Sequence, residues 1–344
     1  MRITRRHLQL ALATLWLLDA ALQCQPAMFT AAFSHRVLAP AASGQPAAVA
    51  VWVHWAALLV ASHPLLANGG FALVQAGLGL GLLTRRFTRE LLAASVAWSV
   101  CVWVAGEGLG GIATGATLAS GAPGAALLYA VLALLAWPTS DDAEDQRPSW
   151  LAIPAWCGLW LTGAVLQLLG GNGTGASISR MLRAAAPAAP GWIAALDARL
   201  ARLGVPTWGA AGLLALDVLI ATWALVPGRT RRASVALGVV VALLGWLLVQ
   251  GLGDLTSGQA TDVNAGPLVA LLGLAVLGAS APRSTSSAPR RTTRRPTALR
   301  IAAPSLAGDH RAQLVEGVVQ LGGERVGVAL TNPAREADTE DGHG

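Results

Sequence analysis

Eight apolar stretches carry almost no charge: residues 7–25, 69–83, 91–109, 124–137, 150–169, 208–226, 233–251 and 266–281. A bilayer core about 30 Å thick is crossed by roughly 20 apolar residues in a helix, and it offers no water to an open backbone. The expected fold is therefore an all-α polytopic membrane protein with about eight transmembrane helices. The composition agrees, with 54% hydrophobic and 12% charged residues over 344 positions, too apolar for an ordinary soluble domain.

Every basic residue other than histidine is arginine, which together with abundant Ala, Gly and Leu points to a high-GC genome rather than to guanidinium chemistry. Arg2, Arg5 and Arg6 precede the first stretch, Arg85, Arg86 and Arg89 follow the second, and Arg229, Arg231 and Arg232 follow the sixth. A dense set from Arg283 to Arg300 follows the last. Placing all of these in the cytoplasm satisfies the positive-inside rule with eight spans and both termini inside, in a bacterial plasma membrane. The net charge of +6 then reflects topology, and no nucleic-acid partner is implied. A ninth span at 50–63 would reverse that orientation, so this segment is read as a helix at the outer interface or a shallow re-entrant one. The N-terminus is similar to a signal peptide, and ITRRHLQ approximates a twin-arginine signal. Asp19 interrupts its apolar core and bulky Gln23 precedes Cys24, so a retained first helix is expected. Three scattered cysteines, Cys24, Cys101 and Cys157, form no disulfide framework.

The chain reads as a duplication. Residues 15–17 and 159–161 are both LWL, and GEGLGGIATG at 106–115 lies on VQGLGDLTSG at 249–258. In that register Trp103 meets Trp246 and Glu107 meets Gln250. Four spans per half make the repeats parallel, related by an axis along the membrane normal. The second half's counterpart of 50–63 is residues 190–204, where Trp192, Ile193, Leu196, Leu200 and Leu203 fall on one helical face, as in an interfacial amphipathic helix. The expected domains are membrane repeat one over 1–145, membrane repeat two over 146–282, and a cytoplasmic, largely disordered tail over 283–344. Within the tail, 314–330 alternates enough to suggest a hairpin.

The segments LLDAALQCQPAMFTAAF, VLAP and FALVQAGLGLGLLTRRFTRELLAA resemble the DoxX/MauE-like four-helix membrane family. In the family pattern, Gln25-Pro26 with Phe29 or Phe33 stands for its "DP..F" element, 37–40 for "LLP", and Gln75, Gly77 and Arg85-Arg86 for the second span. The acid usual in that span is Gln75 here, with Asp217 near the corresponding place of the second half. The resemblance implies a quinone-linked or thiol-redox accessory role beside a membrane partner, and transfers no catalytic residue. The whole chain also resembles eight-span membrane proteins of high-GC Gram-positive bacteria, which supplies no function.

Gly108, Gly110 and Ala113 formally satisfy a dinucleotide fingerprint, but that motif needs a preceding strand in a βαβ unit. Two readings remain open for the glycine-rich stretch and its twin. One is a compact outer turn with Glu107 solvated. The other is a pair of helix breaks, Gly108 and Gly110 with Gly251 and Gly253, lining a binding site as in transporters built from repeats. Asp19, Glu107, Asp217, Gln250 and Asp254 are its candidate ligands for a solute or ion, since an acid within a span is functional by default. Cys24, Met28, His35, His54 and His63 are soft ligands of the kind copper uses, but their spacing matches no established metal motif. The thirteen tryptophans mostly fall near span ends, as in an interfacial belt. No Ser-His-Asp, Cys-His or CxxC arrangement supports catalysis.

The primary expectation is thus a non-enzymatic, transporter-like membrane protein with an outward-facing polar site for a small solute or ion. The alternatives are a DoxX-like subunit associated with quinone or a partner protein, and a scaffold whose Arg-rich tail recruits partners or lipid.

Overall fold

The computed structural model describes residues 3–138, 147–169, 171–187, 189–204 and 206–280. The basic tail and the hairpin expected at 314–330 lie outside the described residues. Among the described residues every regular element is helical. The first set comprises α1 (Arg5–Gln23), the single turn α2 (Ala31–Phe33), α3 (Ala47–Ser62), α4 (Pro64–Leu83), α5 (Thr88–Ala105) and α6 (Ala125–Leu135). The second comprises α7 (Ala152–Leu168), α8 (Gly175–Ala185), α9 (Gly191–Leu203), α10 (Thr207–Leu225), α11 (Arg229–Leu248) and α12 (Ala265–Ala279).

Four of these helices, α4, α5, α10 and α11, are long and apolar enough to cross a bilayer. Their outward faces leave large apolar side chains exposed, among them Leu73, Leu80, Val240 and Leu244, as contact with lipid requires. The chain has the helices of a membrane protein. In each half the packing closes a ring. α1 packs on α4, α4 on α5, α5 on α6 and α6 on α1; α7 packs on α10, α10 on α11, α11 on α12 and α12 on α7. The rings meet through α6 and α12, and one apolar core runs through both.

Several boundaries follow local chemistry rather than hydropathy. α1 begins at a capping box, in which Thr4 accepts from the His7 N–H and the His7 ring accepts from the Thr4 N–H. α4 starts at Pro64, with only His63 between it and the end of α3, because proline is pre-set for the first helical position. α5 stops at Ala105, ahead of Glu107. α6 has 11 residues and rises only about 17 Å, and the chain on its N-terminal side is irregular backbone.

Two features differ from the sequence reading. α8 is not among the expected helices: it is amphipathic but only 11 residues long and not apolar on average, and Leu182 is the one large apolar side chain it buries, beside Gly175, Ser177 and Ser179. α9 forms as expected but only the edge of its apolar face turns inward: Ile193 is buried with Asp197 and Ala201 while Trp192 and Leu203 are exposed. Its broad apolar stripe is thereby left to the surroundings, and Asp197 is buried with both carboxyl oxygens lacking hydrogen bonds.

Candidate functional site

The segment from Gly106 to Gly124 leaves helical geometry because four residues in a row are left-handed. Gly108, Leu109, Gly110 and Gly111 have φ of 55°, 59°, 61° and 71°. Gly251, Leu252, Gly253 and Asp254 repeat this with 53°, 63°, 67° and 61°. An L-residue here costs about 1–2 kcal/mol, so Leu109, Leu252 and Asp254 are strained positions held by their surroundings. In each segment the first N–H groups turn back onto α5 or α11: Gly106 and Glu107 both donate to the Val102 carbonyl, Val249 and Gln250 to that of Gly245. Trp103 Nε1 donates to the Pro123 carbonyl at 2.7 Å, and Trp246 Nε1 to that of Val263 at 2.9 Å.

The first of these segments borders a cavity of about 530 Å³ inside the first helix ring. α1 contributes Trp16, Asp19 and Gln23; α4 contributes Phe71 and Gln75; α5 contributes Trp98, Ser99 and Val102. Tyr129 of α6 stands between the two, its ring 4.5 Å from that of Trp16. α3 covers the cavity with Trp55, Leu59 and Val60, and is itself pinned by a small core with Met28, Phe33 and Leu38. Thr261, Asp262 and Asn264, just ahead of α12, close the remaining side. The cavity lies toward the C-terminal ends of α1 and α5, away from the arginines at their starts.

Three carboxyl groups therefore share one space: Asp19, Glu107 and Asp262. None of the described lining residues is basic. The charge of Asp262 reaches both Asp19 and Glu107. Glu107 Oε1 accepts from the Ala126 N–H at 2.9 Å and so caps α6; its Oε2 is buried without a hydrogen bond. Asp19 is buried in α1, and its Oδ1 likewise lacks a partner. Asp262 accepts from the Asn264 N–H and the Thr261 hydroxyl, at 2.6 and 2.9 Å. Burial raises the Asp262 carboxyl above its ordinary value, and those two hydrogen bonds offset part of the rise. Gln23 Oε1, Gln75 Oε1, Trp98 Nε1 and Ser99 Oγ are also buried without hydrogen bonds, and the Tyr129 hydroxyl faces Asp19. Buried polar atoms are normally satisfied; here a whole set of them belongs to one cavity wall.

Of the residues singled out from sequence, Asp19 and Glu107 are brought together. Gly108 lies behind them, its carbonyl accepting from Gln45 Nε2 at 2.7 Å, and Gly110 packs against Pro123. The other candidates do not line this cavity. Asp217 is buried on α10 over Gly163 of α7, where a β-carbon would come 3.1 Å from its Oδ2. Gln250 ties the two halves by donating from Nε2 to the Ala119 carbonyl at 2.9 Å. Gly251 packs against Ala189, and Gly253 against Val263. Asp254 is half-buried with Oδ1 lacking a hydrogen bond. Asp262 was not foreseen, because Asp-x-Asn ahead of an apolar run reads only as a cap. Tyr129 had a usable signal: it is the chain's one tyrosine and sits in the middle of an apolar stretch. Among the described residues no three His, Cys, Asp or Glu side chains converge as metal ligands.

Comparison with known proteins finds no matching family model, no matching curated protein and no matching solved structure.

Proposed function

We propose that this chain is an eight-span plasma-membrane protein of two parallel four-helix repeats, both termini cytoplasmic, that binds a small amphipathic organic cation in an outward-facing site of its first half, as a transporter does. One observation carries the reading: Asp19, Glu107 and Asp262 line a single cavity whose described lining holds no positive side chain. A protonated amine supplies the donors their oxygens accept, and the surrounding indole and phenyl rings attract the same charge. The duplication is supported by the paired left-handed runs, the two ring closures and the matching Trp103 and Trp246 hydrogen bonds. The outward orientation rests on the arginines at the opposite helix ends.

Titrating purified protein with a protonated aromatic amine such as phenethylamine should quench tryptophan fluorescence saturably. Asp19→Asn, Glu107→Gln and Asp262→Asn should each weaken that binding by about tenfold or more, the value of one charge-assisted contact. Unchanged binding in all three, or equal binding of a neutral analogue, would overturn the cation reading.

A second reading follows the DoxX/MauE-like resemblance and makes the cavity a quinone site. It is favoured by Trp98 Nε1–H, an unpaired donor in the cavity wall suited to a quinone carbonyl. Quinone copurifying with the wild type and lost in Trp98→Phe would decide for it.

A further inference from the structure

The opposite end of the first helix ring has the reverse chemistry. A cavity of about 490 Å³ opens there between the start of α1 and the α4–α5 turn. Arg5, Arg6, Arg85 and Arg89 line it, and Glu90 is the one acid among its described lining residues. These guanidinium groups come from two elements far apart in sequence, so folding, not a run of like charges, brings them together.

Three further features make this a built site. Arg6 is fixed: its guanidinium donates to the Leu82 and Leu83 carbonyls at 2.9 and 2.6 Å, tying the start of α1 to the end of α4. Arg85 is near enough for its charge to be felt at Arg6, a repulsion that an anion between them would relieve. The N-terminus of α5, a helix of 18 residues, borders the cavity, whereas that of α1 is closed by its Thr4–His7 capping box. At α5 the cap position is Phe87, left-handed at φ 55°, and no side chain caps the helix. First-turn N–H groups and the positive end of the helix dipole favour an anion at such a place.

At the corresponding turn of the second half the arginine that holds the end-of-helix carbonyls, as Arg6 does here, comes from the turn's own following helix. Arg231 Nε and Nη2 donate to the Ala224 and Leu225 carbonyls, and Nη1 to Ser280 Oγ. That arginine is committed to holding α10, α11 and the end of α12 together. Topology alone would require positive charge at both turns, but not a concave, two-element cluster at one of them.

We propose that the α1/α4–α5 cavity binds a phosphate group, presented by an anionic phospholipid headgroup or free in the cytosol. The guanidinium fork pairs with phosphate oxygens in two-point contacts. Phe87, 73% exposed beside the cluster, offers an apolar anchor at the same level. This site is independent of what the carboxyl cavity takes.

The test is thermal unfolding of the purified full chain in neutral detergent, with added phosphatidylglycerol, phosphatidylcholine or inorganic phosphate. Arg85→Gln/Arg89→Gln is compared with Arg229→Gln/Arg232→Gln, which removes the same charge at the other turn. Phosphatidylglycerol, but not phosphatidylcholine, should raise the midpoint of the wild type and of the 229/232 pair. The 85/89 pair should need about tenfold more lipid or beyond, given roughly tenfold per charge-assisted contact. Stabilisation by millimolar inorganic phosphate alone assigns the site to the free anion; a response to lipid only assigns it to the headgroup. The proposal fails if neither ligand shifts the wild type, or if the 85/89 pair responds as the wild type does. It also fails if both pairs lose the response equally, since charge alone would then account for it. Should the 85/89 pair not fold, native mass spectrometry of the wild type offered equal phosphatidylglycerol and phosphatidylcholine decides, and equal retention overturns the site.

Discussion

Gly110→Ala is the sharpest probe of the backbone on which the carboxyl site rests. Gly110 has φ 61°, and a β-carbon there would collide with the Pro123 carbonyl and the Gly124 nitrogen, both backbone atoms that cannot swing aside. Three contributions set the magnitude. The left-handed conformation costs alanine about 1 kcal/mol or a little more. Displacing packed backbone costs about 1–3 kcal/mol. Restricting the unfolded chain returns about 0.4–1 kcal/mol. The net is a loss of about 2–3 kcal/mol, or on the order of 5–10 °C in midpoint for a domain of this size. Gly253→Ala should act in the same direction, since its β-carbon would lie 2.8 Å from the Val263 carbonyl and 3.0 Å from Trp246 Nε1. Gly158→Ala, inside α7 with nothing within 4 Å, is the control and should leave the midpoint unchanged or raise it. Near-ultraviolet circular dichroism on heating in detergent follows all three variants. If Gly110→Ala melts with the wild type, the left-handed run is not populated and the placement of Glu107 falls with it.

Two further outcomes are expected. Because burial raises the folded-state pKa of Asp262, folding favours its protonated form; its contribution is complete below about pH 4 and is lost as pH rises through the raised value. Ligand-free protein should therefore lose stability upward from that pH, and Asp262→Asn should flatten this part of the profile; an unchanged slope would show that the carboxyl is solvated. Gln250→Leu removes the 2.9 Å donor to the Ala119 carbonyl and should cost about 1 kcal/mol, read as a lower midpoint, while cation binding in the first half persists.

The helix pattern was largely legible because each apolar stretch is bounded by arginine, proline or glycine. α10 and α7 fall within two residues of the expected 208–226 and 150–169. Errors concentrate where hydropathy is silent. Pro64 starts α4 five residues before the apolar run at 69, and the left-handed glycines end α5 four residues before 109. α8 is short and low in overall hydropathy, burying Leu182 beside Gly175, Ser177 and Ser179, so a search for long apolar runs passes over it. The site was half legible for a related reason. Asp19 and Glu107 stand out as acids in apolar sequence, but grouping Asp262 with them depends on the segment before α12 meeting the first ring. No local pattern in the sequence contains that contact.

On the duplicated reading the two halves share a frame without sharing a site, and packing gives the reason. The residue 144 positions after Asp19 is Gly163, and the acid of the α7–α10 pair is Asp217 on the opposite helix. A β-carbon at Gly163 would lie 3.1 Å from Asp217 Oδ2 and 3.2 Å from Leu118 Cδ2, so Asp217 and Leu118 occupy the space an aspartate at 163 would enter. Trp156 and Trp160, both fully buried with rings 5.6 Å apart, fill the interior beside them and press on Gly238. Each half keeps a tryptophan donating to a serine on its third ring helix, Trp16 to Ser95 at 3.0 Å and Trp156 to Ser234 at 3.2 Å. In the first half the second large ring is Tyr129, from α6, and it stands at the cavity wall rather than in the middle of the ring of helices. On that reading the indoles of Trp156 and Trp160 fill the interior of the second ring, whereas in the first ring Asp19 and Glu107 border a cavity large enough for a ligand.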